Sequence, residues 1–352
     1  AVYEIYPLLA EARLGAGDLN GARGAFQSAL LRLPVAKTPA EKQQIGQIEA
    51  NLRFSLGRVL GQLKKPKEAL VEFRRTAALV PGDAETQSLI AVAAEQTGDH
   101  QGAIAAAKKA LELNPKRSGD RILLARLYGQ SKNWKAANEQ YETYNRQQPK
   151  DGTTLIEWAF AARRAKQTED ELKVWAKLVA LDPKNPFPLM QSGTTLRDKK
   201  RLPEALAKYE KALSLSTVDP AIMYEVASLQ TQLRRHADAT ETWKRLVAAK
   251  PDYLPAYGFL LSASDRSNTE SSTRAFLAKR LAQNEDPKVL SEILSYFENN
   301  KKNGEAKALL ADVLKRNPKA RAAKAALDSY EPSAPEPAEA KPTAEVEPTK
   351  SP

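Results

Sequence analysis

Residues 84–117 read AETQSLIAVAAEQTGDHQGAIAAAKKALELNPKR. The apolar positions up to Gln96 recur at helical spacing, Thr97-Gly98-Asp99 interrupts them, the period resumes at His100, and Pro115 closes it. This pattern predicts two amphipathic helices joined by a tight turn. A glycine frees the turn, and a proline, lacking an N–H, ends the second helix.

The same unit recurs on both sides. Prolines fall at Pro81, Pro115, Pro149 and Pro183, 34 residues apart, then at Pro251 after twice that interval and at Pro318 67 residues later. Small residues keep the beat at Ala69, Ala103, Ala137, Ala205 and Ala239, and Glu171 breaks the row. Four residues after each come Phe73, Ala107, Tyr141, Trp175, Tyr209 and Trp243, mostly bulky. Two helices joined by a short turn approach closest near it, so a small residue belongs there and a bulky one fills the wider gap one turn later. Overpacking one of these alanines is expected to cost roughly 1–3 kcal/mol. A period of about 20–50 residues means stacked supersecondary units.

The pattern resembles the tetratricopeptide repeat (TPR): a Leu-Gly-type pair in the first helix, an early Ala in the second, an aromatic, another Ala, then Pro. Leu56-Gly57, Ile90-Ala91, Leu124-Ala125, Trp158-Ala159 and Val226-Ala227 supply the pair. Tyr128 fills the tyrosine slot, and Ala29, Ala110 and Ala212 the second alanine. In this register the units run 3–36, 50–83, 84–117, 118–151, 152–185, 186–219, 220–253, 254–286 and 287–320. The expected fold is all-α: an α-solenoid of about nine helix pairs over residues 1–331, with the right-handed superhelix that the resemblance implies. Residues 37–49 are an insertion whose EKQQIGQIEANL run extends the next helix upstream. Unit 254–286 is the weakest, with Thr273 and Leu277 in place of Ala and an aromatic and no closing Pro. Residues 319–331 read as a capping helix, which an array needs to cover its last apolar face. Residues 332–352, rich in Pro, Glu and Ala, read as a disordered tail because they hold too little apolar bulk to offset ordering. Its Pro332-Ser-Ala-Pro335 spells PxxP, a match that such composition yields by chance.

Composition narrows the function. The 352 residues hold no Cys, which excludes disulfides and thiolate chemistry, and only two His, 16 Gly and 7% aromatics. His100 and His236 open second helices in separate units, cannot share a metal, and read as surface residues. Gly57, Gly98 and Gly193 begin no phosphate-loop motif and read as packing or turn residues. Glu169-Asp170 reads as helix N-terminal charge. Neither a catalytic set nor a cofactor is expected. Trp158, Trp175 and Trp243 fall at core positions; Trp134 falls at a turn and is a candidate contact. No apolar run spans a membrane and no signal peptide is visible, so the compartment stays open between cytoplasm and periplasm or secretion.

Two surfaces remain. Lys64, Lys65, Lys132, Lys166, Lys199, Lys200, Arg201, Arg234, Arg235, Lys301 and Lys302 all lie at intra-unit turns. Either they form a basic edge for an acidic partner, an anionic glycan or nucleic acid, or they are solvated cations at helix C-termini, where the dipole favours them. The resemblance implies a groove lined by first helices. Register places Phe54, Arg58, Ile122, Arg126, Ile156, Phe160, Arg163, Arg164, Met190, Gln191, Arg197, Tyr224 and Phe259 towards it. Apolar residues interleaved with arginines suit a partner peptide or helix with apolar and acidic residues; the opposing reading is packing between neighbouring first helices. The Lys/Asn carboxylate clamp of chaperone-binding relatives is missing from these positions. The expected function is a non-catalytic protein-interaction scaffold. The alternatives are a bacterial envelope scaffold for glycan export or protein secretion, an array belonging to a larger enzyme, and a nucleic-acid-binding solenoid. The last is disfavoured because no base-reading residue recurs at a fixed repeat position.

Overall fold

The computed structural model describes residues 2–330; the disordered tail expected for residues 332–352 lies outside them. Nineteen α-helices and no strand occur among the described residues. They form two compact units that divide after Pro188.

The first unit holds α1 (Val2–Gly15), α2 (Leu19–Leu31), α3 (Pro39–Gln62), α4 (Pro66–Leu79), α5 (Ala84–Gln96), α6 (His100–Leu113), α7 (Ser118–Gln130), α8 (Trp134–Gln147), α9 (Gly152–Arg164) and α10 (Thr168–Leu181). Each packs on the next. Asp18, Asp83, Asp99, Asn133 and Asp151 cap helix N-termini by accepting backbone N–H bonds. Thr38 and Glu41 form a capping box at the start of α3, and the 37–49 segment thereby enters α3, at 24 residues the longest helix among those described. Pro81, Pro115 and Pro149 each stand one residue past a C-cap, where they block further helix.

The small and bulky rows meet inside each pair. Ala69, Ala103 and Ala137 are at most 1% exposed, and Phe73, Ala107, Tyr141 and Trp175 are buried. Gly57 is required by this packing: a Cβ there would stand 2.6 Å from the Phe73 ring.

The second unit runs through α11 (Phe187–Asp198, whose first two residues precede the division), α12 (Leu202–Leu215), α13 (Pro220–Gln232), α14 (His236–Ala249), α15 (Pro255–Ser267), α16 (Glu270–Gln283), α17 (Pro287–Asn299), α18 (Asn303–Arg316) and α19 (Arg321–Tyr330). Ala205, Tyr209, Ala239 and Trp243 repeat the buried rows. In the divergent repeat, Thr273 and Leu277 are also buried; the Thr273 hydroxyl is satisfied by Ser264 Oγ, which donates to it at 2.9 Å. α19 lies against α17 and α18.

The turns within pairs share one backbone device. Gly17, Gly98 and the non-glycine residues Lys64, Lys132, Lys166, Lys200, Arg234, Asn268 and Lys301 all have φ between 54° and 81°. The residue after each returns its N–H to the preceding helix, as Asn133 does to the Tyr128 carbonyl at 2.8 Å, the pattern of a Schellman stop.

Candidate functional site

The αL turns give the basic edge a local origin. Lys64, Lys132, Lys166, Lys200, Arg234 and Lys301 are exposed and occupy slots that Gly17, Gly98 and Asn268 fill in other pairs. Their neighbours are not all available: Lys65 pairs with Glu68 at 2.9 Å, Arg201 with Glu204 at 2.7 Å, Arg235 with Asp238 at 2.8 Å and Lys302 with Asp265 at 2.7 Å. Lys199 is exposed. The glycines in the same slot were the sequence signal for αL geometry.

Two clefts open in the first unit. One, of about 310 Å³, lies between α3, α4 and α5 and is lined by Gly57, Arg58, Gly61, Gln62, Ala69, Phe73, Leu89, Val92, Ala93 and Gln96. The other, of about 450 Å³, lies between α7, α8 and α9 and is lined by Ala125, Arg126, Gly129, Gln130, Trp134, Ala137, Tyr141, Glu157, Phe160, Ala161 and Arg164. Every residue of the first, advanced by two 34-residue periods, is a residue of the second; Trp134 is the one addition. The close-packing alanines Ala69 and Ala137 line both clefts, and the aromatic row supplies Phe73 and Tyr141 as walls.

Of the residues predicted for the groove, Arg58, Arg126, Phe160 and Arg164 line these clefts. Phe160 is 37% exposed. The Arg164 guanidinium lies 4.8 Å from the Trp134 ring centroid, and neither it nor Arg58 has a carboxylate partner among the described residues. Arg126 is committed: its Nε and Nη2 donate to Glu157 at 3.0 and 2.8 Å, and Tyr141 OH donates to the same carboxylate at 3.2 Å. Burial, with Glu157 beside it, pushes the Tyr141 phenol well above its ordinary range. Gln130, Trp134, Tyr141 and Glu157 join the cleft, and of these only Trp134 was a contact candidate in the sequence.

The remaining residues are placed differently. Phe54 stands edge-on to Phe73 and does not line the cleft. Ile122 and Ile156 pack against the buried cluster around Trp158 and Trp175. Arg163 pairs with Glu171 at 2.7 Å and lies over the Phe160 ring. Met190 and Gln191, both half-buried in α11, accept bonds from Thr194 and Thr195 through their backbone carbonyls. Arg197 donates to both Glu225 oxygens at 2.6 Å, which raises its pKa. Tyr224 and Phe259 belong to an aromatic group with Trp243 and Tyr253. Trp158, Trp175 and Trp243 are buried. His100 is exposed, whereas His236, expected at the surface, is half-buried, with Nδ1 enclosed and without a hydrogen-bond partner among the described residues. Among the described residues no group of three His, Asp or Glu could hold a metal ion, and no helix is long and apolar enough to cross a membrane.

Comparison with known proteins agrees with this architecture. Two tetratricopeptide repeat family models match residues 54–118 and 94–154. Among solved structures, the chain is similar to that of Naa15/Naa10 bound to HypK-THB, with 15% identity and a TM-score of 0.63 over 94% of this chain and 51% of that one. It therefore spans about half the length of that relative. It is also similar to the C-terminal part of a TPR repeat-containing protein from Cytophaga hutchinsonii, with 14% identity and a TM-score of 0.51 over 71% and 98% of the two chains. The MamA protein shares 19% identity over 52% of this chain and 92% of its own, at a TM-score of 0.45. At these identities the likeness concerns the fold alone. No curated protein matches the chain. Residues 54–154 are tetratricopeptide repeats, and the fold is a TPR-like helical-repeat solenoid.

Proposed function

We propose that this chain is a non-catalytic protein-interaction scaffold that captures a partner segment along the groove formed by its first helices. The observation that carries the reading is the recurrence of one open cleft at equivalent positions two repeats apart. Each cleft offers apolar walls and one arginine with no carboxylate partner among the described residues, Arg58 in the first and Arg164 in the second. Such a site takes an apolar side chain with an acidic neighbour, because guanidinium pairs with carboxylate in bidentate fashion. Two anchors on one face give an extended peptide both register and direction, and most of the binding energy of such a surface resides in a few anchors. The Arg126–Glu157 pair is then a fixed divider that holds the wall of the larger cleft.

The test is selection of displayed random peptides on the intact chain. Peptides that place an aromatic or aliphatic residue next to Asp or Glu should be enriched, and should be lost on Phe160→Ala, Arg164→Ala at unchanged urea midpoint. Selection without enrichment, or peptides that bind the double variant equally well, removes the reading.

A further inference from the structure

The second unit gathers four aromatic rings at one place and leaves part of them in solvent. Tyr224 of α13 meets Trp243, Tyr253 and Phe259 edge-on at centroid distances of 5.6, 6.2 and 6.4 Å. Trp243 and Phe259 stack at 5.1 Å. Trp243 is buried beneath the group, whereas Phe259 is 44% exposed and Tyr224 and Tyr253 are half-buried. The Lys250 ammonium sits 5.8 Å from the Tyr253 ring centroid and has no carboxylate partner among the described residues.

Aromatic faces beside this lysine suit a ligand that is both proline-rich and acidic. A polyproline stretch is already extended, loses little entropy on binding, and packs its rings on aromatic grooves. The chain itself carries a segment of proline-rich, acidic composition. Residues 332–352 hold six prolines, and residues 331–352 hold five Glu against two Lys. Residues 189–330 carry 24 Lys and Arg against 17 Asp and Glu, so the charges are complementary. The reach is ample. α19 packs on α17 and α17 on α15, which carries Phe259. With helix axes about 8–10 Å apart, that is a path of roughly 20 Å. A sixteen-residue span, the separation of Tyr330 and Val346, reaches about 50 Å when extended.

We propose that residues 332–352 lie across Tyr224, Tyr253 and Phe259, with prolines against the rings and glutamates beside Lys250. The inference rests on the reading of the first-helix face as a binding surface and assigns that surface, in the second unit, an occupant from the same chain. An outside partner at this place must displace it.

The absence of cysteine makes introduced thiols unique labels. Nitroxides at Ala344→Cys and Gln232→Cys in the intact chain, read by pulsed electron paramagnetic resonance, should give one narrow distance. Phe259→Ala alone, and Phe259→Ala with Tyr224→Ala, should replace it with a broad distribution while circular dichroism stays unchanged. A broad distribution in the parent, or a narrow one that survives Phe259→Ala, overturns the proposal. So does a narrow distance that disappears on mixing with excess unlabelled chain, since the segment would then come from a second copy. Peptide selection at Phe160 and Arg164 is read separately. A broad distance with selection intact rejects this occupant alone, and a narrow distance with no selected peptide rejects the partner reading alone.

Discussion

Arg163 donates through Nε to Oε1 of Glu171 at 2.7 Å, and the same oxygen accepts from Trp175 Nε1 at 3.1 Å. Glu171 stands where Ala69 and Ala137 line the two clefts, and it is 2% exposed. This break in the alanine row is thus filled by a carboxylate that accepts from Arg163 and Trp175. Removing that carboxylate takes an acceptor from the buried indole N–H and an ion-pair partner from Arg163. Glu171→Ala is expected to lower stability by about 1–3 kcal/mol, read as a shift of the urea midpoint. Glu171→Gln, which keeps an acceptor for Trp175, should lose less. Equal stability of parent and both variants would mean that the pair contributes nothing.

The αL turns predict gains. A left-handed conformation strains any residue with a Cβ, and only glycine adopts it freely. Lys132→Gly and Lys166→Gly should each raise stability by about 1 kcal/mol, less the small dipole benefit of the lost cation. Gly98→Lys should do the reverse. Denaturant midpoints of the three single variants check this, and a loss for the Lys→Gly pair would show that the cations hold more than the turn.

Asp151 predicts a pH effect. Its carboxyl accepts from the Thr154 hydroxyl at 2.6 Å and the Tyr144 phenol at 2.7 Å, and these bonds hold it below the usual carboxylate range. A carboxyl with a lower pKa in the folded state adds stability that is complete above about pH 4, and loses it as the pH falls through the folded value. Asp151→Asn keeps an N-cap and removes the titration. The variant should be less stable than the parent by roughly 1 kcal/mol at neutral pH, and the two midpoints should converge in acid. A constant gap from neutral to acid pH would exclude the linkage.

The fold was legible because stacking leaves a trace at every period. Pro81, Pro115 and Pro149 mark helix ends, and Ala69, Ala103 and Ala137 mark close approach, so each residue reports a backbone requirement repeated along the chain. The site was only half legible, for a physical reason. Register shows that Arg126 and Arg164 share a face, but not that Arg126 is held by Glu157, 31 residues away, while Arg164 lies over the Trp134 ring with no carboxylate partner among the described residues. Those outcomes depend on which side chains lie within reach across a helix pair, and residues 126, 157 and 164 carry no periodic signature for it. The turn lysines were legible by their charge but not by their backbone, because the φ they share with Gly17 and Gly98 leaves no mark in a residue that carries a Cβ.

Gly57 and Gly61 sit one turn apart on α3 and separate packing from binding. A Cβ on Gly57 would meet the Phe73 ring at 2.6 Å, whereas one on Gly61 meets nothing within 4 Å although the residue lines the smaller cleft. Gly57→Ala should therefore destabilise by about 1–3 kcal/mol through overpacking. Gly61→Leu should stabilise α3 by about 0.8–1 kcal/mol from helix propensity, while its side chain fills the cleft that would receive a partner's anchor. Peptides selected on the parent should bind the Gly61→Leu chain at least tenfold more weakly, a change of about 1.4 kcal/mol in binding free energy. Because that variant is expected to be more stable than its parent, weakened binding could not be ascribed to unfolding. Undiminished binding would place the anchor elsewhere on the chain.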